Sequence, residues 1–338
     1  MKLIVFNVSA RERASFEALR AAKSWEIFLI EERLTPDFHP APEMADADAI
    51  AVFVNNPVNE ETIPKFPNLR VVVTRSTGYD HIDLEACRRR AIPVYYVPDY
   101  GSVTVAEYTL AMLLALLRRL RPMIEQSLHA LFSRENLRGN DLAGKTVGLI
   151  GTGKIGKEVA RRLAAFSVDI LAYDKFPDEE LARSIPRFRY ADLETIYRRS
   201  DVLTFHVPLS QETHHLFNRE SLRTVKWGLF LINTSRGPIV ETEAIIEGLR
   251  EGRLAGVALD TFESEEVVME EQYYAADYLT QAELRNALAT YHLLRSDRVI
   301  MSPHNAYNSE EALQRIIDTT VTNLEAFLDK RDTPNRLA

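Results

Sequence analysis

The segment Lys145-Thr-Val-Gly-Leu-Ile-Gly-Thr-Gly-Lys-Ile-Gly156, followed by Asp174, constrains this chain more than any other. The apolar run 147–150 reads as a buried strand, and 157–166 reads as a helix. A second apolar run, 168–173, ends on the acid. Gly151, Gly153 and Gly156 give the Gly-x-Gly-x-x-Gly spacing, with Lys154 and Ile155 inside it. Each glycine has a mechanical task. Gly151 permits the tight turn, Gly153 lets a pyrophosphate approach the backbone, and Gly156 lets helix and strand pack closely. The free N–H groups and partial positive charge of the helix N-terminus favour that anion. Asp174 accepts hydrogen bonds from a ribose diol and repels a 2′-phosphate. The ensemble predicts dinucleotide binding, with NAD favoured over NADP.

Composition excludes other classes. A chain of 338 residues predicts about two domains. Net charge is −8, with no basic block, which argues against nucleic acid or an anionic membrane as the main partner. The single cysteine, Cys87, excludes an intrachain disulfide and fits a reducing compartment. Residues 1–8 read as a short strand rather than a signal peptide, and the apolar stretch 108–117 is too short to span a bilayer. The expectation is a cytoplasmic α/β protein acting on a small molecule.

Strands alternate with helices almost throughout. Strands are expected over 2–8, 26–30, 48–54, 70–75, 93–97, 146–150, 168–173, 201–207, 228–234, 255–261 and 298–302. Helices are expected over 11–22, 155–166, 192–199, 241–251 and 309–330, and alternation of this kind predicts parallel sheets with right-handed crossovers. A helix over 102–120 is apolar on nearly every face. It is expected to be buried all round, as the first crossing between domains and as a dimer element. The helix over 309–330 is the expected return crossing.

In an open parallel sheet, ligands bind beyond the carboxyl ends of the strands. Gly151 and Asp174 stand at two such ends. His206-Val207-Pro208, Thr234-Ser235-Arg236, Asp260 with Glu263 and Glu265, and Pro303-His304 follow the next four. Three of these groups make a chemical set. Arg236 can grip a carboxylate or polarise a carbonyl through its fork of donors. His304 can exchange a proton near neutral pH. A carboxylate, Glu263 or Glu265, can hold the imidazole in one orientation and favour its protonated form. Beside a nicotinamide this set suits reduction of a 2-keto acid. His206 is expected to close a turn over the cofactor by its backbone. His39, His81, His129, His214, His215 and His292 lack a matching context and read as surface groups. Asp83 reads as a helix N-cap rather than a metal ligand, and no metal site is expected.

These residues carry a resemblance. Over about 45–330 the chain resembles the D-isomer-specific 2-hydroxyacid dehydrogenases, and within them the D-lactate dehydrogenases. The motifs are Arg75-Ser-Thr-Gly-Tyr-Asp-His-Ile-Asp83, Val97-Pro-Asp-Tyr-Gly, Val105-Ala-Glu107, the glycine loop, His206-Val-Pro208, Asn233-Thr-Ser-Arg-Gly237, Ala258-Leu-Asp-Thr-Phe-Glu-Ser-Glu265 and Ser302-Pro-His304. The resemblance implies two Rossmann-like or flavodoxin-like domains with parallel sheets, separated by an active-site cleft. It implies a substrate domain of 1–100 and 304–338, an NAD-binding domain of 101–303, and a homodimer. It implies Arg236, Glu265 and His304 as the catalytic set, selecting Glu265 over Glu263. Thr77 and Gly78 would meet the substrate carboxylate, with Tyr100 and Tyr307 facing the substrate. Thr213, Thr234 and Asp260 would line the nicotinamide side, and Ser235 would also bind the cofactor.

The implied activity is NAD-dependent reduction of a small 2-keto acid, pyruvate first, to the D-2-hydroxy acid. Asn305 replaces the aliphatic residue usual after the histidine in lactate-type members, while an insertion over 266–296 is a lactate-type feature. Glutamate rather than glutamine at 265 speaks against formate as substrate. Other 2-keto acids, phosphite and an NAD-sensing, corepressor-like role remain as alternatives.

Overall fold

The computed structural model describes residues 1–265 and 280–338. The stretch 266–279 of the expected insertion lies outside the described residues, and the remainder contains a helix, Gln281–Leu294. The chain divides into two compact units, Met1–Tyr100 with Asn308–Ala338, and Gly101–Tyr307. No helix among the described residues is long and apolar enough to cross a membrane.

The first unit is built on five parallel strands, β1 (Lys2–Val5), β2 (Glu26–Leu29), β3 (Ala49–Val52), β4 (Val71–Thr74) and β5 (Val94–Tyr95). Their order is β2-β1-β3-β4-β5, the flavodoxin-like doubly wound arrangement. Central strands such as Val71–Thr74 are buried on both faces, which explains their continuous apolar runs. The helix Ala10–Ala22 starts on a capping box between Ser9 and Glu12. Asp83 caps the helix Leu84–Arg89 by accepting from the Ala86 N–H at 2.9 Å. The C-terminal helix Glu310–Leu328 lays Ile317 and Leu324 against Leu3, Val5, Val71 and Val73, so the chain end completes this unit's core.

The second unit carries seven parallel strands, β6 (Thr146–Ile150), β7 (Asp169–Tyr173), β8 (Phe188–Tyr190), β9 (Val202–Phe205), β10 (Leu229–Asn233), β11 (Leu254–Leu259) and β12 (Val299–Met301). Their order, β12-β11-β10-β9-β6-β7-β8, is that of the dinucleotide fold, reversing direction between β6 and β9. The ends of these two strands therefore frame the crevice where such sheets bind ligands. Strand β8 is absent from the sequence expectation. It is a three-residue edge strand in which only Phe188 is fully buried, too short to register as a run.

The helix expected over 102–120 departs from the sequence reading in its length. It ends at Leu117, and a separate helix, Leu120–Leu128, follows Arg119 in a left-handed conformation (φ 52°). The cause is a distant segment: the Asn140 N–H takes the Leu117 carbonyl at 2.9 Å, and a Cβ on Gly139 would lie 2.5 Å from that oxygen. Leu110, Met112, Leu113 and Leu116 join the core of the nucleotide sheet, but Val103, Glu107 and Ala111 form an exposed stripe.

Candidate active site

The glycine loop connects β6 to the helix Lys154–Leu163. Gly151 has φ 96°, and a Cβ there would sit 2.7 Å from the His206 backbone, so only glycine lets the ends of β6 and β9 approach. A Cβ on Gly156 would fall 2.0 Å from the Gly151 carbonyl, which ties helix to strand. Gly153 is the N-cap, and nothing lies within 4 Å of where its Cβ would be. That open backbone face, followed by the first turn with Lys154 and Ile155, suits a pyrophosphate. Asp174, directly after β7, accepts from the Thr152 N–H at 2.6 Å, the Thr152 hydroxyl at 3.0 Å and the Phe176 N–H at 2.9 Å. These bonds hold one carboxylate at the strand end where a ribose diol is expected. Replacing Asp174 by Ala is expected to improve use of NADPH relative to NADH by at least about tenfold, a ~1.4 kcal/mol change in relative binding. The ratio of the two kcat/KM values measures it.

His206 follows β9. Burial pushes its imidazole down to about 3, so the ring is neutral at pH 7. Its Nε2 shares a 2.9 Å hydrogen bond with the Thr204 hydroxyl, while Nδ1 is buried with no protein partner. An unpartnered buried nitrogen beside the glycine turn is a further sign that a ligand completes this crevice. The Ser235 hydroxyl donates to the Val207 carbonyl, and Thr213 Oγ1 donates to the Pro208 carbonyl at 2.6 Å. Thr234 is buried, 2.9 Å from the Thr109 hydroxyl of the helix Ser102–Leu117.

The turn that carries Arg236 is organised by Asn233, a residue to which the sequence reading gave no separate role. This fully buried amide donates to the Arg236 carbonyl at 2.9 Å and accepts from the Ser235 N–H at 3.1 Å. Asp260 organises the turn that carries His304. Its carboxylate accepts from the Ser302 hydroxyl (2.6 Å), the Asn305 N–H (2.8 Å) and the Ala306 N–H (3.0 Å), and its carbonyl accepts from the His304 N–H. His304 has φ 50°, a conformation that costs a non-glycine residue ~1 kcal/mol or more and that these bonds sustain. Its Nδ1–H donates to Glu265 Oε1 at 2.9 Å. With Nδ1 engaged, Nε2 is the nitrogen left for a reacting group.

The structure separates the two acids of the 261–265 turn. Glu265 meets His304, whereas Glu263 accepts from His215 Nε2 at 2.7 Å. His215 is thus engaged, as are two other histidines read from sequence as surface groups: His81 Nε2 lies 3.1 Å from the Thr74 hydroxyl, and His39 Nδ1 lies 2.6 Å from the Asp37 carbonyl oxygen. No sequence signal marks the first pairing, because its partners are 48 residues apart. Tyr307 closes the second unit, while Thr77, Gly78 and Tyr100 belong to the first. There the Thr77 hydroxyl donates to the Val97 carbonyl at 2.8 Å, Gly78 accepts from Ser76 Oγ at 2.6 Å, and the Tyr100 carbonyl accepts from Arg315 at 2.8 Å.

Comparison with known proteins identifies the family. The family described as D-isomer specific 2-hydroxyacid dehydrogenase, NAD binding domain, matches residues 110–306. A glyoxylate reductase of Thermofilum pendens is 36% identical over 84% of this chain and 79% of its own. The D-lactate dehydrogenase of Escherichia coli is 31% identical over 100% of both chains. Among solved structures, D-lactate dehydrogenase from Aquifex aeolicus complexed with NAD and lactic acid superposes with a TM-score of 0.85 at 33% identity, covering 97% of this chain and 96% of that one. With a glycine turn at the β6–β9 switch point, an acid at the end of β7 and this match, the chain belongs to the D-isomer-specific 2-hydroxyacid dehydrogenases and carries their NAD-binding domain.

Proposed function

We propose that the protein reduces pyruvate to D-lactate with NADH, with Arg236, Glu265 and His304 as its catalytic residues. The observation that carries this reading is the 2.9 Å hydrogen bond from His304 Nδ1 to Glu265, set at the carboxyl end of the nucleotide-binding sheet. Bound NADH supplies a hydride for the keto carbon. The Arg236 guanidinium grips the substrate carboxylate or polarises its carbonyl with a bidentate fork. His304 delivers the Nε2 proton to the oxygen that becomes the hydroxyl, and Glu265 holds the ring in register through Nδ1. In the oxidative direction the same nitrogen takes the proton back. Thr77 and Gly78 supply backbone N–H groups to the carboxylate, and Tyr100 and Tyr307 bound the substrate's methyl side. Thr213, Thr234 and Asp260 line the nicotinamide side, where Asp260 also holds the His304 turn, and Ser235 also binds the cofactor.

Full-length similarity to a D-lactate dehydrogenase supports pyruvate, while the 36% identity to a glyoxylate reductase supports glyoxylate as a second reading. NADH oxidation against pyruvate, glyoxylate, hydroxypyruvate and phenylpyruvate separates them. The highest kcat/KM is expected on pyruvate, and a higher value on glyoxylate would transfer the assignment. Arg236→Lys is expected to raise the KM for the keto acid about tenfold or more, because a point charge does not reproduce the planar fork. An unchanged KM would remove that role.

The protein is further proposed to work as a homodimer. Ile124, Leu128, Leu131 and Phe132 stand exposed along and just beyond the helix Leu120–Leu128, the last at 83%. Clustered apolar exposure of this kind marks an interaction surface. Light scattering is expected to give twice the chain mass, and Leu128→Glu with Phe132→Glu to shift it to one.

A further inference from the structure

Two residues before Glu265 stands a second acid–histidine pair. The Glu263 side chain is only 11% exposed and each of its oxygens has a donor. His215 Nε2 donates to Oε1 at 2.7 Å, and the Thr242 N–H donates to Oε2 at 2.7 Å. Thr242 opens the helix Thr242–Glu251, whose own N-cap, Glu241, makes no side-chain cap. Glu263 therefore caps that helix from outside, at the end where a negative charge is favoured.

Three chain segments meet at this carboxylate. The loop after β9 brings His215, whose N–H also donates to the Pro238 carbonyl at 2.8 Å. The loop after β10 brings Gly237, next to Arg236. A Cβ on Gly237 would lie 2.2 Å from the Phe262 carbonyl oxygen and 2.8 Å from the Glu263 nitrogen, so the two backbones are in direct contact. The loop after β11 supplies Glu263 itself. Ser264 then adopts a left-handed conformation (φ 56°), which sends Glu263 and Glu265 to different partners. Glu263 is thus joined to Glu265 through Ser264 alone, and it abuts the Arg236 turn through the Gly237 contact.

We infer that Glu263, anchored by His215, is a positioning residue that sets Glu265 against His304 and fixes the Arg236 turn beside it. This rests on the reading of His304 as the proton donor. Glu263 lies apart from the glycine loop, so its loss is expected to lower turnover more than it weakens NADH binding, the Arg236 turn that it fixes also carrying Thr234 and Ser235. A misplacement of about 1 Å in such machinery costs up to about a hundredfold in rate.

The test is steady-state reduction of pyruvate by four variants of the full chain, with the Kd for NADH from fluorescence and a thermal melt for each. Glu263→Ala is expected to lower kcat about tenfold to a hundredfold, with the NADH Kd within about threefold of the parent. His215→Leu removes the donor and is expected to lower kcat about tenfold, whereas His215→Gln, whose amide still donates, stays within about threefold. The His215 pair decides the matter even where Glu263→Ala fails to fold. The inference is overturned when Glu263→Ala retains kcat within about twofold, when His215→Gln is as impaired as His215→Leu, or when the NADH Kd weakens in step with kcat. His304→Ala is the fourth variant: its retention of full turnover would overturn the proton-donor reading itself. An inactive His304→Ala beside fully active Glu263 and His215 variants would overturn the positioning role alone.

Discussion

His304→Ala is expected to reduce kcat for keto-acid reduction by about two to four orders of magnitude, the usual contribution of a positioned acid. NADH binding should persist within about twofold, because the glycine loop and Asp174 are organised by their own backbone and hydrogen bonds. The size of the effect follows from how much of the structure is committed to this imidazole. Asp260 gathers three donors from the Ser302–Ala306 turn, the backbone at His304 is held left-handed, and Glu265 fixes the ring through Nδ1. Removing the ring leaves the keto oxygen to be protonated by water, with no proton donor held at the reacting atom. Stopped-flow measurement of NADH oxidation alongside equilibrium NADH binding separates the two quantities. Turnover within about threefold of the parent would remove His304 from the chemistry.

Arg75→Leu is expected to destabilise the first unit by about 3–5 kcal/mol, the loss that follows when one partner of a buried ion pair is left uncompensated. Arg75 is 1% exposed and pairs with Glu12, whose side chain is 9% exposed. It also donates to the carbonyls of Phe6 and Asn7 just beyond β1, and its guanidinium lies 5.5 Å from the Phe53 ring and 5.9 Å from the Phe16 ring. The pair lies just beyond the carboxyl end of β1, and the strand order of this sheet reverses between β1 and β3. Without Arg75, Glu12 remains as an unpaired buried charge that also serves the Ser9 cap. A loss of this size is a large share of the 5–15 kcal/mol typical of a folded domain. Urea unfolding of the variant should show the first unit melting at lower denaturant. Combining Arg75→Leu with Glu12→Gln should recover part of the loss, because no buried charge then lacks a partner. A midpoint equal to that of the parent would show that the pair contributes nothing.

Much of this architecture was legible because backbone constraints write themselves into short sequences. The Gly151, Gly153 and Gly156 spacing marks a turn in which Gly151 and Gly156 have no room for a side chain, and β6 occupies the expected 146–150. Long-range events left no such trace. The break at Arg119 depends on Gly139 and Asn140 closing over the carbonyl of Leu117, and the apolar pattern of 102–120 runs straight through it. The edge strand β8 offers one fully buried side chain in three residues. Glu263 and Glu265 look alike in sequence, two acids in one turn. The left-handed Ser264 between them sends one to His215 and the other to His304. Asp260 illustrates the same limit: its place after β11 was visible, but its three donors lie 42 to 46 residues further on.

The most direct test of the proposed chemistry is the stereochemistry of the product. Purified protein incubated with pyruvate and NADH should oxidise one NADH for each lactate formed, and chiral chromatography should return D-lactate alone. Formation of L-lactate, or no oxidation of NADH that is demonstrably bound, would contradict the account.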